Sequence, residues 1–105
     1  MIELSKKHLC LEAELVEHFF GREDQALLSY DEDSQRLLVA PSSSSWFAKM
    51  HKTSSFLLKT KNLKGDRSLA IHSILIDHEI DAQDRPLDYE CNASAGWIKI
   101  NLKKP

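Results

Sequence analysis

The feature that most restricts how this chain can fold is an internal repeat. Shifted by sixty residues, "KHLCLEAELVEHFFGRED" (7–24) superposes on "RSLAIHSILIDHEIDAQD" (67–84). Lys7 meets Arg67, Leu9 meets Leu69, Leu11 meets Ile71, Leu15 meets Leu75, Val16 meets Ile76 and Phe20 meets Ile80. Glu17-His18 meets Asp77-His78, Asp24 meets Asp84 and Leu27 meets Leu87. One inserted residue later, Leu37 and Val39 meet Ile98 and Ile100. Identities are few, but the apolar pattern holds over about thirty-five positions. Such self-similarity marks a unit that cannot bury its apolar face alone. Two copies can bury theirs against each other across a pseudo-twofold axis.

Each copy carries two periods. Leu9, Leu11, Ala13 and Leu15 alternate as in a strand, whereas Leu15, Val16, Phe19 and Phe20 cluster at helical spacing. The first copy therefore predicts a strand through about Leu11, then a short helix stopped at Gly21. "ALLSY" and "RLLVA", separated by the turn-forming "DEDSQ", predict a hairpin over 26–40, closed by Pro41. In the second copy Leu69 and Ile71 alternate, and Ile74, Leu75, Ile76 and Ile80 suit a short helix or a strand equally. "RPLDYECN" and "GWIKINL" predict a second hairpin across "NASAG". Between the copies, Ser45 is the expected N-cap of a short helix with Trp46, Phe47 and Met50 on one face. "SSFLLKTK" (54–61) follows as a strand or irregular extended segment, and "NLKGDR" is a turn around Gly65. The expected fold is α+β and mostly β. It is a small antiparallel β-barrel of two pseudo-repeats, each a strand, a short helix and a hairpin. A single domain spans 1–105, with repeat one at 4–41, a connector at 42–63 and repeat two at 64–102.

Bulk properties exclude several classes. A hydrophobic content of 42% and a charged content of 29% describe an ordinary globular chain. A formal net charge of −2 gives no general attraction to nucleic acid or anionic membrane. A nucleic-acid role therefore requires a local basic patch, or an oligomer that concentrates one. Cys10 and Cys91 are too far apart and too few for a disulfide framework, and Cys10 reads as a buried free thiol. The beginning "MIELSKK" has no apolar signal core, and no apolar run is long enough to span a bilayer. The expected location is the cytoplasm.

The usual chemical signatures do not assemble. Of His8, His18, His51, His72 and His78, no pair at helical spacing comes with a third ligand. His18 and His78 are related by the repeat, which points to a shared structural role at a helix end. "DHEID" with Asp81 and Asp84 lacks the mid-loop glycine of a calcium loop. Cys10 has no implied catalytic partner, and Ser42 to Ser45 lack a nucleophile-elbow context. With only Gly21, Gly65 and Gly96, no phosphate-cradling loop exists. Trp46 and Trp97 read as core or interface anchors. No catalytic residue, metal or cofactor is expected.

The first repeat, "KHLCLEAELVEHFFGREDQALLSYDEDSQRLLVAP", resembles the swapped-hairpin superfamily of AbrB, MazE and MraZ, whose fold is a double-split β-barrel. Those units run from a basic start through an apolar strand and a helical turn ending in Gly to a hairpin closing on Pro. Glu12 stands where that family usually has a proline. Two tandem units, with "APSSSSWFAKM" after the first hairpin, are similar to the MraZ arrangement in particular. The resemblance implies a DNA-binding transcriptional regulator acting as a homo-oligomer on duplex DNA. It carries DNA contact to the basic residues at the repeat starts: Lys6, Lys7, Lys64 and Arg67. Such side chains neutralise phosphates, and arginine can read guanine bidentately. Lys49, His51, Lys52, Lys59, Lys61 and Lys64 make 49–64 the most basic part of the chain. The acidic runs "REDQ", "DEDS" and "DHEIDAQD" oppose a phosphate-binding face. The alternative is a protein-interaction or assembly module on the same scaffold that has lost DNA contact.

Overall fold

The computed structural model describes residues 2–21, 23–44, 47, 49, 53–92, 94 and 96–102. Among the described residues, ten strands and two helices follow one another. They are β1 (Ile2–Ser5), β2 (His8–Leu11), α1 (Ala13–Phe19), β3 (Gln25–Asp31), β4 (Arg36–Pro41), β5 (Ser54–Leu57), β6 (Lys59–Thr60), β7 (Arg67–Ala70), α2 (His72–Asp77), β8 (Arg85–Leu87), β9 (Tyr89–Asn92) and β10 (Trp97–Asn101). The strands form two five-stranded antiparallel sheets, ordered β6-β7-β2-β1-β8 and β5-β3-β4-β10-β9. The mostly antiparallel β architecture with two short helices is as expected. The expected barrel appears as two sheets whose hydrogen-bond ladders do not close on each other.

The middle of each sheet joins equivalent parts of the two repeats. In the first sheet β2 pairs with β7, and Leu9 lies opposite Leu69, its own counterpart under the sixty-residue shift. In the second sheet β4 pairs with β10: Leu37 faces Ile100, and Val39 faces Ile98. Exchanging the repeats maps Leu9–Leu69 onto itself and the two β4–β10 pairs onto each other. The outer strands follow suit, since β1 forms a hairpin with β2, and β6 with β7. At two corners a strand leaves one sheet for the other across a single residue. Leu58 separates β5 from β6, and Asp88 separates β8 from β9. Each corner is tied by backbone: Leu58 N–H donates to Asp24 O at 2.7 Å, and Asn101 N–H donates to Asp88 O at 2.8 Å.

Period-two alternation decides which side chains meet between the sheets. Ile2, Leu4, Leu9, Leu11, Leu69, Ile71, Leu28, Leu37, Val39, Ile98 and Ile100 share one core, all at most 2% exposed. The helices cover it with Val16 and Phe20 from α1's segment and Leu75 from α2. The continuous apolar run of β4 needs a second explanation, because both its faces are buried. Leu38 and Ala40 point away from the core, where Phe47 covers them, with Leu27 and Trp97 packed alongside. Phe47 N–H donates to Ser44 Oγ at 3.4 Å. The expected cap Ser45 and helix residues Trp46 and Met50 lie outside the described residues.

Burial, rather than surface charge, carries this fold. Each fully buried Leu or Ile contributes about 1.5–3 kcal/mol. The exposed pairs Arg36–Glu90 at 3.5 Å and Lys61–Glu3 at 3.8 Å belong to a class worth about 0–1 kcal/mol.

Candidate interaction groove

The structure does not bring the four basic positions together. Lys6 and Lys7 form the two-residue β1–β2 turn, both with positive φ (50° and 67°). Lys64 lies at the other end of β2, in the 61–66 loop, whose Asp66 accepts the N–H of Ala13 at 2.7 Å. The four residues of β2 separate these ends by about 10 Å. The loop presses on the start of α1: a Cβ added at Gly65 (φ +101°) would lie 3.3 Å from that of Ala13. Arg67 is beside this loop, yet it shares its face of β7 with Leu69, which is turned to the core. Its guanidinium donates to Glu23 O at 3.4 Å and to Leu58 O at 3.3 Å, and it lies 3.6 Å from the Asp24 carboxylate. Arg67 thus ties the Leu58 corner to the segment before β3. At the related place in the other repeat, Asp84 accepts the backbone N–H of Lys6 at 2.8 Å. Of the wider basic region, Lys49 is exposed and Lys61 pairs with Glu3. His51 and Lys52 lie outside the described residues.

A different region has the shape of a site. Three adjoining cavities, of about 500, 390 and 340 Å³, all share Tyr30 and His78. The largest lies between α2 and the β3–β5 edge of the second sheet. Leu28, Tyr30 and Phe56 form its floor, and Ile74, Asp77 and His78 form its far wall. The strands place Tyr30 at the outer end of β3, beyond the four residues Gln25–Leu28 that pair with β5. Helix α2 places His78 at its C-cap. There the imidazole meets the Tyr30 ring at 4.4 Å between centroids, and its Nδ1 lies 2.8 Å from the Glu32 carboxylate. These two contacts tie the end of the helix to the β3–β4 hairpin.

The electrostatics of this groove are one-sided. Glu32, Asp77 and Glu79 line it, and no lysine or arginine lines any of the three cavities among the described residues. Burial raises the Tyr30 hydroxyl above its ordinary value, and the Glu32 and Asp31 charges raise it further. The phenol therefore stays protonated at neutral pH. Glu79 follows the helix with a left-handed φ of 54°, where α1 is followed by Gly21 at φ 57°. A non-glycine residue held there stores strain, a feature that collects at binding sites. Ile76, 62% exposed, stands on the rim.

Another hollow, about 150 Å³ and lined in part by Glu3, Cys10, Glu12, Lys61 and Asp66, carries charges of both signs. Cys10, which lines it, is free and buried, as expected; Cys91 is free and exposed. Among the described residues, no three His, Cys, Asp or Glu side chains come together to hold a metal ion. No helix among them is long and apolar enough to cross a membrane.

Tyr30, Phe56 and Glu32 were not among the expected site residues, and neither was Arg85. The Arg85 guanidinium donates to the carbonyls of Asp81, Gln83 and Leu102 at 2.8–2.9 Å and clamps 81–84 to β10's end. A departure from the repeat marks Tyr30. Register pairs Tyr30 with Leu37 and Cys91 with Ile98, so the groove's aromatic has a cysteine as its counterpart. Comparison with family profiles, with curated proteins and with solved structures finds no match to this chain.

Proposed function

We propose that this chain is a non-catalytic protein-interaction module, built on a barrel split at its Leu58 and Asp88 corners, that engages a partner through the groove between α2 and the β3–β5 edge. One observation carries the reading: three cavities converge on Tyr30 and His78, on a one-sided acidic surface. The swapped-hairpin resemblance supports the scaffold, since the corners fall where two split sheets would share strands. The nucleic-acid reading has less support, because Arg67 is engaged internally and the lysine pair Lys6-Lys7 is separated from Lys64 by the length of β2.

A photo-crosslinking residue placed at Ile76, on the groove rim, is expected to give a discrete protein adduct in the cell. Tyr30→Ala should abolish that adduct. The same crosslinker at Leu63, in the 61–66 loop, should give none. Equal labelling from both positions, or none from Ile76, overturns the reading. Binding to a short DNA duplex at ~20 mM salt, with affinity falling steeply as salt rises, would replace it with the nucleic-acid one.

A further inference from the structure

We infer that the Tyr30–His78 groove recognises a cationic side chain, arginine before lysine, presented by a protein partner. The inference rests on the interaction-module reading and specifies the chemistry of the partner. Its first ground is shape. The cavity between α2 and β5 is about 500 Å³, room for a long side chain together with the backbone that carries it. Its second ground is the floor. Tyr30 and Phe56 offer aromatic surface, and the His78 ring already packs on Tyr30 at 4.4 Å. A planar guanidinium stacks on such a surface and is drawn to its face, which an ammonium does less well. Its third ground is charge complementarity. Glu32, Asp77 and Glu79 line the cavities that meet on this floor, with no lysine or arginine among the described residues; Glu32 Oε1 lies 2.8 Å from His78 Nδ1, which leaves its second oxygen and the other two carboxylates for a cation. Glu32 projects from the β3–β4 turn, while Asp77 and Glu79 lie at the end of α2, so carboxylates flank the floor from two elements.

Pseudosymmetry argues that this constellation is not a by-product of the fold. The scaffold repeats the strand and helix positions, yet the register counterpart of Tyr30 is Cys91. The sequence counterpart of Ile74 is Glu14. The pseudosymmetric counterpart of the groove, formed by α1 and β9, thus lacks both the ring and one apolar wall.

The test is an NMR titration of the full chain with acetyl-Gly-Arg-Gly-Arg-Gly-amide. Its control is the same peptide with citrulline, a neutral isostere, in place of arginine. The arginine peptide is expected to shift the amides of Ser29–Glu32, Phe56 and Asp77–Glu79, and to bind about tenfold tighter than the citrulline peptide. Tyr30→Leu keeps an apolar side chain but removes the ring, and should weaken the arginine peptide several-fold. Glu32→Lys with Asp77→Lys should abolish its binding while Lys64→Glu leaves it unchanged. Each variant is checked for native amide dispersion, and a variant that loses it is replaced by Tyr30→Phe, which should retain binding. Equal affinity for the arginine and citrulline peptides overturns the inference, as do shifts that map away from the groove. An Ile76 crosslink that forms although the arginine peptide fails would leave the module reading standing and remove only its cationic specificity.

Discussion

At the scale of single residues, charged side chains near the start of the second repeat tie loops to the elements beside them. Asp66 accepts the Ala13 N–H at the head of α1 and the Asn62 side-chain amide at 2.8 Å, which stabilises the 61–66 loop. The Asn62 amide first, and the Ala13 N–H second, hold the Asp66 carboxyl below its ordinary value of 3.8. A carboxyl depressed by folding adds stability above its unfolded pKa and loses it as pH falls through the folded one. The urea midpoint should therefore drop on acidification below about pH 4. Asp66→Ala should lower the midpoint at pH 6 and shrink the further drop at pH 3. An acid response that the variant leaves untouched would assign it elsewhere. The repeat start was legible as a basic run, but the job of Arg67 was not. Its partners, Glu23, Asp24 and Leu58, are brought to it only by folding.

At the scale of elements, the tight hairpins and bends account for most departures from the expected layout. The β1–β2 connection has two residues, Lys6 and Lys7, both at positive φ, the geometry in which Asn-Gly is favoured. A left-handed non-glycine residue costs about 1–2 kcal/mol, and glycine returns part of that in chain entropy. Lys7→Gly should therefore raise stability by about 0.5–1 kcal/mol, read from chemical denaturation. A loss of stability would show that the turn depends on the lysine side chain. β1 itself was missed, since "IELS" is too short for its alternation to stand out beside two lysines. "RPLDYECN", expected as one strand, bends at Asp88 into two strands of different sheets. The residue inserted in the repeat falls at this bend. Leu28 pairs with Val39 as Tyr89 pairs with Ile100, so the extra residue lies between Asp84 and Tyr89. The ambiguous middle of the second repeat is helical because Ile71, Ile74, Leu75 and His78 turn inward at i, i+3, i+4 and i+7, while His72, Ser73, Ile76 and Asp77 face solvent.

At the scale of the whole molecule, the two halves are each other's core. β2 and β4 find their central partners in β7 and β10, and each sheet draws strands from both repeats. A fragment of residues 1–61 should show no cooperative melt by circular dichroism, whereas mixing it with 62–105 should restore one. A fragment that melts cooperatively by itself would show that the first repeat closes its own core. This mutual dependence was legible, because the repeat announced two incomplete units and their pairing followed. The groove was not, because it gathers residues 28–32, 54–56 and 73–79, which share no local pattern. The register of the central pairs also sets a schedule. Leu9 waits for Leu69, and Leu37 for Ile100, each some sixty residues further along. At ~5–20 residues per second, a ribosome leaves the first half without its partners for on the order of 3–12 s. Its apolar strands must stay soluble for that interval, and the charged runs "REDQ" and "DEDS" that flank β3 are placed to keep them so.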